Sequence, residues 1–537
     1  MALCLVACAP VFAQHHLDPI SDSSKTRVKS VAWANFQDTR LNFILESKKL
    51  AVIGREVDDL QLSQMTEQAT SELRGEGFLV GQVVLSGKNK QLFLNTGDLY
   101  LTVFLGAVGK ISVINSSAVD ASWIESVANN SLCPDGLGDA CILTKAKFER
   151  MTQLLQDIAG VQLEGLNFSP DGMLVGQTQL VIVVRSKDSR VKGSVGVDNQ
   201  GFTSTGVYRM GATASVSNLF SVGDIFSFNG FVSNGGSVSG SLDLSGPFNA
   251  DGFRWQASLA RSQFFVPNVS SSGFGNSLSV GASYPLVRGL DSNVTIGLNV
   301  VDVMTYSEVA QVATSNKTLQ AGQLYLDANS GDRSIYLGQN SWAFRPGLVV
   351  GQVADVAAVQ GSSQPLGSYT KLSFQGFGKY ILSGGGNLYT SLNLRGQAAN
   401  TNIDPYEKMA IGGFSGMRAY SLNEGSFNQG SITSVGLHNI IHTPWGRFTP
   451  HVFIDYANGW INHSTYSDWQ VNSGYSNSQL SNHMVLSDAG LGVDWSVYKD
   501  LSLSALWARR LPLSPSGLSS TGNTNSQFWF LLQAFFN

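Results

Sequence analysis

Ser237-Val238-Ser239-Gly240-Ser241-Leu242-Asp243-Leu244-Ser245 alternates without an error. An extended chain turns successive side chains to opposite faces. Val238, Gly240, Leu242 and Leu244 therefore fall on one side, and the serines and Asp243 on the other. The same period recurs at residues 388–395, where Leu388, Thr390, Leu392 and Leu394 oppose Tyr389, Ser391, Asn393 and Arg395, and again at residues 294–300. Each run is close to the roughly 9–11 residues with which a tilted strand crosses a bilayer. A soluble sandwich gives the same alternation with its apolar face inward, so the period alone leaves both architectures open.

Composition favours the membrane. Only 13% of the 537 residues are charged, against about 25% in a typical soluble domain. Glycine is also abundant, at 57 residues, above its usual share of about 7%. No apolar run approaches the roughly 18 residues of a transmembrane helix, so any spanning falls to a closed sheet that leaves no backbone group unpaired in lipid. The net charge of -4 comes without a basic stripe or an aromatic platform, which sets nucleic acid aside.

The N-terminus predicts export. Ala2-Leu3-Cys4-Leu5-Val6-Ala7 is apolar, and Val11-Phe12-Ala13 offers small residues for a signal peptidase, so residues 1–13 read as a signal peptide cut after Ala13. The positive n-region is missing, as expected of a truncated start or a misassigned first Met. Leu5-Val6-Ala7-Cys8 also fits a lipoprotein box, but the apolar stretch before it is short. Residues 14–29 form an N-terminal segment with a weak helical signal.

Residues 30–188 carry more charge than the remainder. Helical spacing predicts helices over 62–74 and 144–157, the second through Phe148, Met151, Leu154, Leu155 and Ile158. Leu99-Tyr100-Leu101-Thr102-Val103 and Leu180-Val181-Ile182-Val183-Val184 read as strands that each close a block of strand, helix, Gly-bearing turn and strands. The layout is a weak internal repeat of two α/β modules ahead of a β-rich half.

Particular segments carry a family likeness in family order. They are Gly77-Phe78-Leu79-Val80-Gly81-Gln82-Val83, Leu154-Leu155-Gln156-Asp157-Ile158-Ala159-Gly160-Val161, Val197-Asp198-Asn199-Gln200-Gly201, Asn218-Leu219-Phe220-Ser221-Val222-Gly223-Asp224, and Ile411-Gly412-Gly413 with Arg418 and Tyr420. The chain resembles the TpsB transporters of two-partner secretion, in the BamA-like outer-membrane superfamily. The resemblance implies two periplasmic α/β POTRA domains, 30–106 and 107–188, followed by a transmembrane antiparallel β-barrel over 189–537. It also implies a sixth loop near 409–435 folded into the lumen. The tip Met417, Arg418, Ala419, Tyr420 would lie against Phe453 and Asp455 of an inner-wall strand, with Arg418 forked onto Asp455. In a hydrated lumen such a pair is expected to contribute only about 0–1 kcal/mol, so positioning is its purpose. Ala419 and Ala457 stand where the family has glycine, with Gly459 two residues on.

Length gives the barrel size. At roughly 20–22 residues per strand and connection, the residues after 190 make about 16 strands, an even number. Phe528, Phe530, Leu532, Ala534 and Phe536 share one face of a closing strand, followed by Asn537. Cys133 and Cys141 flank a Gly/Pro turn and predict a local disulfide in an oxidising periplasm. No further ligands stand at metal-binding spacing. No complete Gly-x-Ser-x-Gly occurs, and His451 and Asp455 share a strand face without a nucleophile turn, so no enzyme is expected. Gly106-Ala107-Val108-Gly109-Lys110 is too short for a phosphate loop and reads as the linker between modules.

No cofactor is expected. The resemblance implies capture of an unfolded exoprotein through its N-terminal two-partner secretion domain, on exposed strand edges or in apolar grooves. Its passage outward would be drawn by folding outside the cell. An adhesin, a haemolysin or a contact-dependent toxin all fit as cargo. Outer-membrane lipids and the barrel assembly machinery are further expected partners. The competing expectation is an assembly factor or insertase of the same superfamily; a passive porin would leave the two modules without a purpose.

Overall fold

The computed structural model describes residues 25–34, 51–170, 172–187, 189–336, 338–356, 365–472, 480–497, 500–512 and 525–536. The expected signal peptide, most of the segment 14–29, and Asn537 lie outside the described residues. The chain divides into two compact units.

The first unit holds two modules of one plan. In the first, Ser30–Ala34 runs parallel to Asp98–Phe104, which pairs antiparallel with Gln82–Val84 on its other edge. Helices Asp59–Gly75 and Gly87–Thr96 accompany this sheet. The longer helix starts at a capping box, in which the Asp58 carboxylate accepts from the Gln61 N–H at 2.8 Å and Gln61 accepts from the Asp58 N–H at 3.0 Å. Leu62, Leu73, Phe93, Leu99 and Leu101 close the core. In the second module Ala107–Ser116 runs parallel to Gln177–Ser186, and Val161–Ser169 completes the sheet beside helices Ala121–Leu132 and Lys145–Gln156. The Cys133 and Cys141 sulfurs sit at bonding distance, with 4.8 Å between their Cα atoms. One expectation is corrected here: residues 107–110 are no linker but the start of the strand Ala107–Ser116. Val108 and Ile111 are buried there, and the chain turns only at Gly106, whose φ is +83°.

The second unit is a closed antiparallel barrel of sixteen strands. They are β1 Val191–Asp198, β2 Arg209–Ser217, β3 Ile225–Ser233, β4 Val238–Pro247, β5 Arg254–Val266 and β6 Ser271–Arg288. Next come β7 Asn293–Val309, β8 Val312–Asn329, β9 Ser341–Asp355, β10 Gly367–Ile381 and β11 Leu388–Ala399. The last five are β12 Gln429–Asn439, continuing past Ile440 as Ile441–Thr443, then β13 Gly446–Trp460, β14 His483–Val497, β15 Leu501–Arg510 and β16 Ser526–Phe536. β16 pairs with β1 from Leu531↔Asp198 to Phe536↔Gly193. Beyond that ladder the Asn199 side chain donates to the Phe528 carbonyl at 2.7 Å and accepts from the Phe530 N–H at 2.8 Å.

The wall is sorted by the period of two. Leu242, Leu259, Leu298, Val300, Leu324, Val350 and Leu372 are exposed on its outer face, an apolar belt for lipid. Polar side chains face in: the Asp243 carboxylate accepts from Ser241, Ser258 and Asn229, and Gln256 donates to Asn299. No helix among the described residues is long and apolar enough to cross a membrane.

Candidate functional site

β13 alternates buried and outward residues along most of its length, so Thr449, His451, Phe453, Asp455 and Ala457 all point into the barrel. The connection from β11 to β12 meets them there. It occupies residues 400–428, earlier than the expected 409–435, because pairing of β12 with β13 already begins at Gln429↔Trp460. A short hairpin, Met409↔Phe427 and Ala410↔Ser426, carries it inward. The turn is tight. Gly413 has φ +104°, and a Cβ on Gly412 would lie 2.0 Å from the Ser421 carbonyl oxygen, so neither position admits a side chain. The Gly413 N–H donates to the Tyr420 carbonyl and the Met417 N–H to that of Ile411, both at 2.9 Å, and Ile411, Met417, Ala419 and Tyr420 are wholly buried.

The tip is held by five successive strands. Arg418 donates from Nε to Asp455 Oδ2 at 2.8 Å and from Nη2 to Asp455 Oδ1 at 2.5 Å, with a further 2.5 Å bond from Nη2 to Ser434 Oγ on β12. Its guanidinium carbon lies 3.3 Å from the centre of the Phe453 ring, so charge is met by a carboxylate at the edge and a π-face beneath. The Ala419 N–H donates to Asp488 Oδ2 on β14 at 3.1 Å. Arg510 on β15 donates to the Ala419 carbonyl, pairs with Glu424 and covers the Tyr420 ring at 4.2 Å. Trp529 on β16 donates to the Arg418 carbonyl at 2.7 Å.

One expectation changes. Asp455 is wholly buried, so the pair is not a screened surface contact; removing one partner strands a buried charge, at a cost of about 3–5 kcal/mol. Both alanines are wholly buried at the tip. Neither Ala419 nor Ala457 has the left-handed backbone that requires glycine. The glycine that matters on β13 is Gly459, where a Cβ would lie 2.7 Å from the Phe427 ring.

Met417, Arg418, Ala419, Tyr420, Phe453 and Asp455 are thus brought together in the lumen. Cys133 and Cys141 stand apart in the first unit. Ser434, Glu424, Asp488, Arg510 and Trp529 escaped the sequence reading: Glu424 lies in the loop itself, and each of the others is one inward-facing residue of an ordinary alternating strand. Asp455 and Asp488 are direct partners in the β13–β14 ladder, so one arginine and one backbone N–H serve two buried carboxylates. Below Phe453 a column of rings continues through His451 (6.1 Å), His438 (5.0 Å) and Tyr389 (4.7 Å). Among the described residues no cluster of three His, Cys, Asp or Glu side chains could hold a metal ion.

A closed barrel with an apolar belt, a loop folded into its lumen and α/β modules ahead of it define an outer-membrane transporter of the BamA-like superfamily. Residues 176–478 match the family model of the haemolysin secretion/activation proteins ShlB/FhaC/HecB, and the chain belongs to that family, the TpsB transporters of two-partner secretion. The heme/hemopexin transporter protein HuxB of Haemophilus influenzae strain 86-028NP is 21% identical over 460 residues, covering 83% of this chain and 76% of that protein. Among solved structures, CdiB from Escherichia coli superposes with a TM-score of 0.71 at 16% identity over 98% of this chain and 94% of its own. BamA from Haemophilus ducreyi lacking POTRA domains 1-3 reaches 0.51 at 14% identity, over 96% of this chain and 100% of its own. The protein is therefore a secretion transporter of the bacterial outer membrane, with its POTRA region in the periplasm and a TpsA-type exoprotein as its partner.

Proposed function

We propose that this chain takes up an exoprotein by its N-terminal secretion domain and passes it outward unfolded, with the tip of the sixth loop as a gate that Arg418 latches on Asp455. The observation that carries the reading is the bidentate pair itself: a planar fork on a wholly buried carboxylate holds the loop inside the lumen, where a passing chain must displace it. No nucleotide chemistry is required. The cargo folds outside, leaves the unfolded pool and does not return.

Adhesin, haemolysin and contact-dependent toxin remain the fitting cargo classes. We infer two further partners: lipids along the apolar belt, and the barrel assembly machinery during insertion. The test is release of an exoprotein carrying a two-partner secretion domain from outer-membrane strains expressing the intact chain, Arg418→Lys or Arg418→Ala. Release should require the intact chain and fall about tenfold or more in Arg418→Ala, which strands the buried Asp455 carboxylate and leaves the loop tip misplaced in the lumen. Folded, inserted barrel that never releases any such partner would move the assembly-factor reading ahead.

A further inference from the structure

The tip accounts for only part of the sixth loop's attachments. Its entering limb, Ile403-Asp404-Pro405-Tyr406-Glu407-Lys408, is fixed to a different stretch of wall. Ile403 is 1% exposed and sits in an apolar socket made by inward-facing Leu319, Ala321, Val349, Val353, Tyr369 and Ala399 of β8–β11. Two lysines of the same wall close on it. Lys317 Nζ donates to Asp404 Oδ2 at 2.6 Å; Lys371 Nζ donates to Glu407 Oε2 at 2.5 Å and to the Glu407 carbonyl at 2.9 Å. Both lysines are under a tenth exposed. Lys408 Nζ reaches over to the β13–β14 connection, donating to the Ile461 carbonyl at 2.7 Å and Asn462 Oδ1 at 2.8 Å. Asn428, wholly buried, ties the leaving limb to the entering one: its Oδ1 accepts from the Ile403 N–H at 2.9 Å and its Nδ2 donates to the Thr401 carbonyl at 3.0 Å.

The two ends differ in what holds them. At the root each buried carboxylate has its own lysine, and an apolar side chain fills a socket. At the tip Arg418 forks onto Asp455 and Arg510 pairs with Glu424, but Asp488, facing Asp455, meets a backbone N–H in place of a cation, an arrangement that like-charge repulsion weakens. Undocking the root would rehydrate two complete ion pairs and an apolar surface together. We propose that residues 403–408 are a fixed root on which the sixth loop pivots: during opening the tip leaves β12–β16 while the root stays on β8–β11. This rests on the reading of the tip as a gate.

Paired cysteines and a short, reducible bis-thiosulfonate bridge test it in the full-length protein reconstituted in planar lipid bilayers, with ionic conductance as the readout. The tip pair is Arg418→Cys/Asp455→Cys. The root pairs are Lys317→Cys/Asp404→Cys and, independently, Lys371→Cys/Glu407→Cys, so that misfolding of one leaves the other; heat-modifiable mobility on gels verifies folding. Bridging the tip should lower open probability about tenfold, reversed by reductant, whereas bridging either root pair should change it less than about twofold. A bridged root that blocks opening as strongly as a bridged tip would overturn the pivot and leave the gate standing. A bridged tip without effect would overturn the gate, and the pivot with it.

Discussion

Ala419 and Gly459 show how a family pattern and a local structure part company. The family's glycine is absent at 419, yet the Ala419 backbone needs no left-handed conformation, and its methyl is buried without conflict. Ala419→Gly should therefore leave export intact and lower stability by at most about 1 kcal/mol through added backbone freedom; urea titration of the purified barrel checks the second part. Gly459→Ala should do the reverse, since its new Cβ meets the Phe427 ring at 2.7 Å. Overpacking of that kind costs about 1–3 kcal/mol, and its sign is a raised channel conductance as the hairpin bearing Phe427 loosens. Arg418 and Asp455 could be found in the sequence because motif order marked them. Asp488, Arg510 and Trp529 could not, because each is one residue in an ordinary alternating strand and only barrel closure brings them to the tip.

Strands were the legible elements. A period of two needs no context, and the runs at 237–245, 294–300 and 388–395 fall in β4, β7 and β11. Helices Gly87–Thr96 and Ala121–Leu132 were missed: the first buries only Phe93, and the second has a stripe at helical spacing, Ile124, Val127, Ala128 and Leu132, that was legible and was overlooked among its serines and asparagines. The loop root was invisible for another reason, since Lys317 and Asp404 meet across 87 positions of chain. Lys408, in that root, makes a pH prediction. Burial pushes its ammonium from the ordinary 10.5 down to about 8. The unfolded state then holds the extra proton between those values, so stability should rise as pH climbs from 8 to 10.5. Urea midpoints across this range should show the rise in the native chain and lose it in Lys408→Met. In the N-terminal unit, opening the Cys133–Cys141 link by replacing both cysteines with serine should cost about 2–3 kcal/mol. Its effect should be confined to melting of the separate α/β unit, with barrel mobility on gels unchanged.

At the scale of the molecule, the barrel is closed by a short ladder that Asn199 lengthens with its own amide. Asn199→Ala should lower barrel stability by about 1–2 kcal/mol, two hydrogen bonds of modest net worth, read by urea unfolding; an unchanged midpoint would remove that residue from the seam. The column of Phe453, His451, His438 and Tyr389 has a consequence of another kind. Arg418 roofs its upper ring, so the latched channel presents a cation to the bore and keeps the ring covered. Once the arginine swings away, a polypeptide in transit meets a bare aromatic face beside two acids. On the proposed gating, opening and wall chemistry would be one event: the Phe453 face would become available to hydrophobic segments only once the tip has left it.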